Sequence, residues 1–218
     1  MKGLLVKDFK LIMMQKNFFL LIIAIAVGML ASTDNVTFPL GFLTFVISLF
    51  TLSTISYDEF DNGNAFLFTL PITRIGYVIE KYCLGLLLGC GTWIFATILS
   101  IVAIILRGIL SITDLMMIAL IILPLILIIQ AFMFPFQLKF GGEKGRIAII
   151  GAVGLIAVIS IIIVKGANTL FGIDIADAFN TLPTVSMGIL IAIVIAIAII
   201  LLLISLKISI AIMNKKEF

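Results

Sequence analysis

The chain contains no histidine, which excludes imidazole metal centres, histidine-based triads and imidazole proton relays. It also has no G-x-x-x-x-G-K-[ST] phosphate loop. The run Gly141-Gly142-Glu143-Lys144-Gly145-Arg146 is glycine-rich but differently ordered, so the chain cannot hydrolyse ATP alone. Charge is scarce, at 11% of residues, and no acidic residue falls deep within an apolar run. Asp34, Asp114, Asp174 and Asp177 sit in links or at run ends, and the other acids gather on the side read below as cytoplasmic. The intramembrane carboxylate of a proton-coupled carrier or an aspartyl protease is therefore not expected. Only two cysteines are present, Cys83 and Cys90. On one helix they are about 10.5 Å apart, beyond the reach of a disulfide, and they read as buried small residues.

Apolar residues are abundant. They make up 63% of the chain and give a mean hydropathy of +1.39, far from the balance of soluble domains. The expected fold is an all-α integral membrane protein, one transmembrane domain over residues 1–218. About 20 apolar residues are needed per helical crossing, and six candidate spans fit: Phe18 to Ala31, Phe38 to Ser56, Tyr82 to Leu106, Leu115 to Leu138, Ile147 to Val164 and Val185 to Leu206. The first is short and is expected to extend back through Leu11 to Met14 or forward past Ser32 to Thr37.

With six spans the termini share a side. That side holds Lys2, Lys7, Lys10, Lys16, Arg74, Lys81, Lys139, Lys144, Arg146, Lys207, Lys215 and Lys216, leaving only Arg107 and Lys165 opposite. The bias places both termini in the cytoplasm and makes the chain a multi-pass protein of the cell membrane. No cleavable signal is expected, because four lysines precede the first apolar run and no small-residue site follows it. Residues 1–16 set Leu4, Leu5, Phe9, Ile12 and Met13 among Lys7, Lys10 and Lys16, which suits either an amphipathic interfacial helix or a plain positive flank.

The largest polar interruption is Tyr57 to Tyr82. An acidic cluster (Asp58, Glu59, Asp61) is followed by Asn62-Gly63-Asn64, a turn signal. Ala65 to Leu70 is predicted as a short helix with Phe66, Leu67 and Leu70 as anchors, ended by Pro71. Thr73 is placed to cap the next helix.

Leu70-Pro71-Ile72-Thr73-Arg74, followed by Tyr77-Val78-Ile79 and Lys81-Tyr82, resembles the signature of type-2 ABC transporter permeases. Tyr57-Asp58-Glu59 and the opening Met1-Lys2-Gly3-Leu4-Leu5-Val6-Lys7-Asp8-Phe9 are similar to the same family's second-span end and N-terminal helix. At residue level the likeness is specific around Leu70 to Tyr82. It implies a permease half in which two chains, alike or paralogous, join two cytoplasmic ATP-binding cassette subunits. Those partners would bind ATP and Mg; this chain would hold no cofactor, metal or catalytic residue and would not be an enzyme. The loop of residues 57–81 would be the coupling loop, with Phe60, Phe66, Leu67, Leu70, Arg74 and Glu80 docking the ATPase. Overall likeness to permeases of phenol-soluble modulin exporters implies export of hydrophobic or amphipathic peptides by a bacterial cell. A non-transport scaffold or a pore-forming immunity protein without an ATPase is the competing class. Nothing points to nucleic acid; lipid, substrate peptide and a second permease are the other partners.

Within the spans, Thr44, Ser48 and Thr51 form a hydroxyl stripe on the second, which can line a path or join helices. Gln130, deep in the fourth, is a further pathway candidate, whereas Gln137 reads as interfacial. Gly85 and Gly89 permit close helix approach. Pro124 and Pro135 each free a carbonyl that neighbours must satisfy. Residues 166–183 are read as an external loop with a short helix over Ile173 to Phe179, in which Asp174 and Asp177 face water.

Overall fold

A computed structural model describes residues 2–60, 63–142, 144, 145, 147, 150, 151 and 187–216, and in them every regular element is helical. In chain order these are α1 (Lys2–Met14), α2 (Lys16–Ser32), α3 (Thr37–Ser48), α4 (Phe50–Glu59), α5 (Gly63–Leu67), α6 (Arg74–Arg107), α7 (Ile112–Phe140) and α8 (Met187–Lys215). The pair α3 and α4 is long and apolar enough to cross a membrane, and so are α6, α7 and α8. A fifth crossing comes from α1 and α2 if that pair, bent by 64°, is one broken span. The expected fifth span, Ile147 to Val164, lies almost wholly outside the described residues, and the external loop of residues 166–183 lies wholly outside them.

Because α2 ends at Ser32, the first span does not extend forward to Thr37; the break at Gln15 separates it from α1, and it reaches back through Leu11 to Met14 only if the bent pair is one span. Thr33 closes α2 by leaving helical geometry, and its hydroxyl donates to the Met29 carbonyl at 2.8 Å. The second span is interrupted at Leu49. Just before it Ser48 turns its hydroxyl onto the Phe45 carbonyl at 2.9 Å, a back-bonding that bends helices. Helix α6 starts at Arg74, ahead of the apolar run and at the place where Thr73 was expected to cap it. Thr73 caps it, accepting from the Gly76 amide at 3.0 Å, and Gly108 ends it in the left-handed region at φ 64°. Its 34 residues rise about 51 Å, well beyond a bilayer core of about 30 Å.

Helix contacts explain the small residues. A methyl group at Gly85 would stand 2.6 Å from Phe134 Cζ, and one at Gly89 would stand 3.1 Å from Gln130 Nε2. The two glycines thus cut a notch in α6 that receives α7. Pro135 leaves the Ala131 carbonyl without an intrahelical donor, and the Ser205 hydroxyl of α8 supplies one. Tyr82 of α6 reaches the same place, 2.6 Å from Ser205 Oγ and 2.8 Å from Ser209 Oγ. One hydroxyl chain therefore binds α6, α7 and α8 where the proline opened the backbone. The cysteines are free, but Cys83 lies on an exposed face of α6. Its burial was expected from the apolar span; the phase of α6 turns it away from its neighbours.

Candidate functional site

One end of the bundle gathers α1, the end of α4, α5, the start of α6 and the end of α8. Its centre is Lys81, whose side chain is completely buried. The ammonium has three protons to place and finds three oxygens: Asp8 Oδ2 at 2.5 Å, Asp58 Oδ2 at 2.7 Å and Thr54 Oγ1 at 3.2 Å. Lys7 pairs with the other oxygen of Asp58 and stands 3.2 Å from Asp8 Oδ1. The Tyr77 hydroxyl donates to Asp58 Oδ2 at 3.1 Å. Unpaired charges are not tolerated away from water, so these partners hold α1, α4 and α6 in one register.

Glu80 belongs to the same cluster. Its side chain is fully buried, with its nearest cation Lys81 at 3.9 Å, and neither carboxylate oxygen has a hydrogen bond among the described residues. This differs from the rim position expected for a docking residue: successive helical positions point about 100° apart, and Glu80 follows Lys81 inward.

Two more cations tie this end together. The Arg74 guanidinium donates to the carbonyls of Met213 at 3.1 Å and Asn214 at 2.8 Å, where the last turn of α8 lacks amide donors and its dipole favours a cation. Lys216 pairs with Glu59 at 2.7 Å and donates to the Leu138 carbonyl at 3.0 Å, joining the ends of α4 and α7. At the opposite end Arg107 does the same for α2, donating to Leu30 and Thr33 carbonyls at 2.7 and 2.8 Å and pairing with Asp34 at 2.9 Å.

The short helix α5 occupies residues Gly63–Leu67, slightly earlier than predicted. Leu67 is buried in the apolar core that includes Tyr77, Tyr82 and Phe134, and Phe68 packs against it with its ring 5.7 Å from that of Tyr77. Leu67 was expected as a surface anchor; it instead pins the helix to the bundle, because only one side of a five-residue helix faces outward. Phe60, Phe66 and Leu70 do present exposed surface.

The intramembrane candidates are packed. Thr44, Ser48 and Thr51 are buried, and Thr44 turns its hydroxyl to the Leu40 carbonyl at 2.8 Å. Gln130 fills the α6 notch and donates to the Gly85 carbonyl at 2.9 Å. Open space lies elsewhere, in a cavity of about 350 Å³ between α4 and α7 lined by Leu49, Leu52, Ser53, Ser56, Met133, Gln137 and Ile150. Gln137 is buried there, near the end of α7, and donates to Ser56 Oγ at 2.9 Å.

Sequence reasoning missed the Lys81 cluster. Its members come from three separated segments, and the available signal was the recurrence of one acid in each of the first two, Asp8 and Asp58, with a basic residue at the start of the third. No curated protein and no solved structure matches the chain. A family model described as ABC-2 family transporter protein matches residues 3–214, and the chain belongs to that family.

Proposed function

We propose that this ABC-2 transporter membrane subunit is an exporter half that moves hydrophobic or amphipathic peptides out of a bacterial cell, with both termini in the cytoplasm and six spans. The family itself implies a multi-pass permease working with an ABC ATPase. The exported class and the docking residues are our reading. The observation that carries it is the outward display of Phe60, Phe66 and Leu70 on a loop whose two ends are tied by buried ion pairs. Apolar side chains presented at a polar end suit a groove on a partner.

Asp58 closes α4 just before the loop, while Tyr77 and Lys81 open α6 just after it. Because all three meet in one cluster with Asp8, a push on α5 displaces α1, α4 and α6 together instead of bending the loop. Leu67 and Phe68 make that connection stiff. The helix α6 would then carry the displacement along its length to the opposite end, where Arg107 holds α2. The same cluster supports an interfacial α1, since Leu4 and Asp8 face inward while Phe9 and Met13 are exposed. That α7 and α8 both finish near Lys216 is the polarity that a six-span count requires. The cavity beside Ser53, Ser56 and Gln137 offers mixed apolar and hydroxyl lining to an amphiphile, and it replaces the Thr44 stripe and Gln130 as the proposed entry to the path. Two permease copies, identical or paralogous, would complete the path.

The reading is tested by purifying the tagged chain from its native membranes. An ATPase should accompany it, and its turnover should rise with amphipathic peptide. In Phe66→Ala with Leu70→Ala the affinity should fall about 30-fold, as removal of a docking hot spot worth about 2 kcal/mol requires. An ATPase that stays bound to this variant refutes the docking surface. A native preparation with no ATPase favours a scaffold or immunity protein instead.

A further inference from the structure

We infer that the outer seam between α7 and α8 is a binding site for one anionic phospholipid, a class of ligand beyond the transport reading above. Two cavities carry it. The first, about 480 Å³, lies at the end of the bundle where both helices finish and is lined by Lys139, Ile208, Ala211, Ile212, Lys215 and Lys216. The second, about 340 Å³, is almost wholly apolar, bounded by Phe132, Pro135 and Phe136 of α7 and Leu201 and Ile204 of α8. Ile208 lines both, so they form one groove with a basic mouth and an apolar trough.

The dimensions fit one lipid. From Lys215 to Leu201 the helix rises about 21 Å, and half of a bilayer core is about 15 Å, leaving several ångströms for a headgroup at the mouth. The trough has no open polar demand: Ser205, its one hydroxyl, is already committed to Tyr82 and the Ala131 carbonyl. At the mouth the charge is positive and directed. Lys216 is neutralised by Glu59, whereas Lys139 and Lys215 are exposed, Lys139 with its ammonium 5.0 Å from the Phe140 ring centre. Two cations over an apolar trough complement a phosphodiester carrying acyl chains, and a neutral lipid or an apolar helix would leave them unanswered.

Native mass spectrometry of the full chain, released from micelles with defined lipid, tests the site. Phosphatidylglycerol should remain bound under conditions that strip phosphatidylcholine. Lys139→Ala with Lys215→Ala should weaken it about 30-fold, each lysine near an anionic surface being worth about fivefold, while Lys10→Ala with Lys16→Ala should leave it unchanged. Ile208→Trp keeps the charges, fills the groove and should also displace the lipid. Equal loss in the Lys10 and Lys16 variant would reduce the effect to net charge and overturn the site. Displacement by millimolar inorganic phosphate alone would make it a phosphate site, not a lipid one. Conversion of a dimer to monomer by Ile208→Trp with lipid binding unchanged would assign the groove to a second copy. A wild-type helical circular-dichroism spectrum certifies that each variant is folded.

Discussion

Replacing Lys81 with methionine removes one buried ammonium, strands Asp8 and Asp58, and takes from buried Glu80 its nearest cation. Breaking a buried pair by deleting one partner costs about 3–5 kcal/mol, and the Thr54 hydroxyl loses its contact as well, a further ~1 kcal/mol. Lys7 still touches both Asp8 and Asp58, but its side chain is 32% exposed and screened by water, so it compensates only in part. The expected loss is therefore about 3–5 kcal/mol, a large fraction of a typical folding free energy of about 5–15 kcal/mol. The assay is SDS titration in mixed micelles, with Lys10→Met, an exposed position, expected within about 0.5 kcal/mol of wild type. A triple variant adding Asp8→Asn and Asp58→Asn to Lys81→Met should recover much of the loss, because neutral replacement of directly bonded buried ion partners is often nearly neutral, with Glu80, 3.9 Å from Lys81, left in place. The reasoning is refuted if Lys81→Met unfolds with wild-type free energy, or if the triple variant is no better than the single one.

Gly85→Ala should cost about 1–3 kcal/mol from overpacking, because Phe134 is buried against Tyr82 and cannot yield. Gly91→Ala meets nothing within 4 Å and should gain up to about 1 kcal/mol in the same titration. Ser205→Ala should cost about 0.6 kcal/mol, the average for an interhelical hydroxyl in a membrane. Combined with Pro135→Ala the cost should shrink, since the restored amide serves the Ala131 carbonyl; strict additivity in that double-mutant cycle would contradict the account. Thr73→Ala should destabilise by about 1 kcal/mol through loss of the α6 cap, with amide exchange at Gly76 rising first.

Much of the scaffold was legible in the sequence. The spans that the structure describes were anticipated from apolar runs, the cap of α6 from Thr73, and the need for an outside donor from Pro135. The functional end was harder to read. Phe66 and Leu67 are adjacent, equally apolar residues, and one faces outward while the other enters the core; no local pattern separates them in a helix of five residues. Glu80 was placed near the docking rim by its position in the resembled family's coupling loop, yet it lies buried beside Lys81. Gln130 carried the polarity expected of a pathway residue, but Gly85 and Gly89 offered it a notch.

Composition and the order of apolar and charged runs by themselves determined that this is a helical membrane protein. Those properties are sums over windows of about twenty residues, and crossing a bilayer depends on such sums. Only the tertiary structure decided that Asp8, Asp58 and Lys81 meet. Their encounter depends on the rotational phase of α1, α4 and α6 relative to one another. That phase is set by packing between segments distant in the chain: Leu4, Ile55, Tyr77 and Val78 share one core, and the charges beside them have no lower-energy place than each other's company.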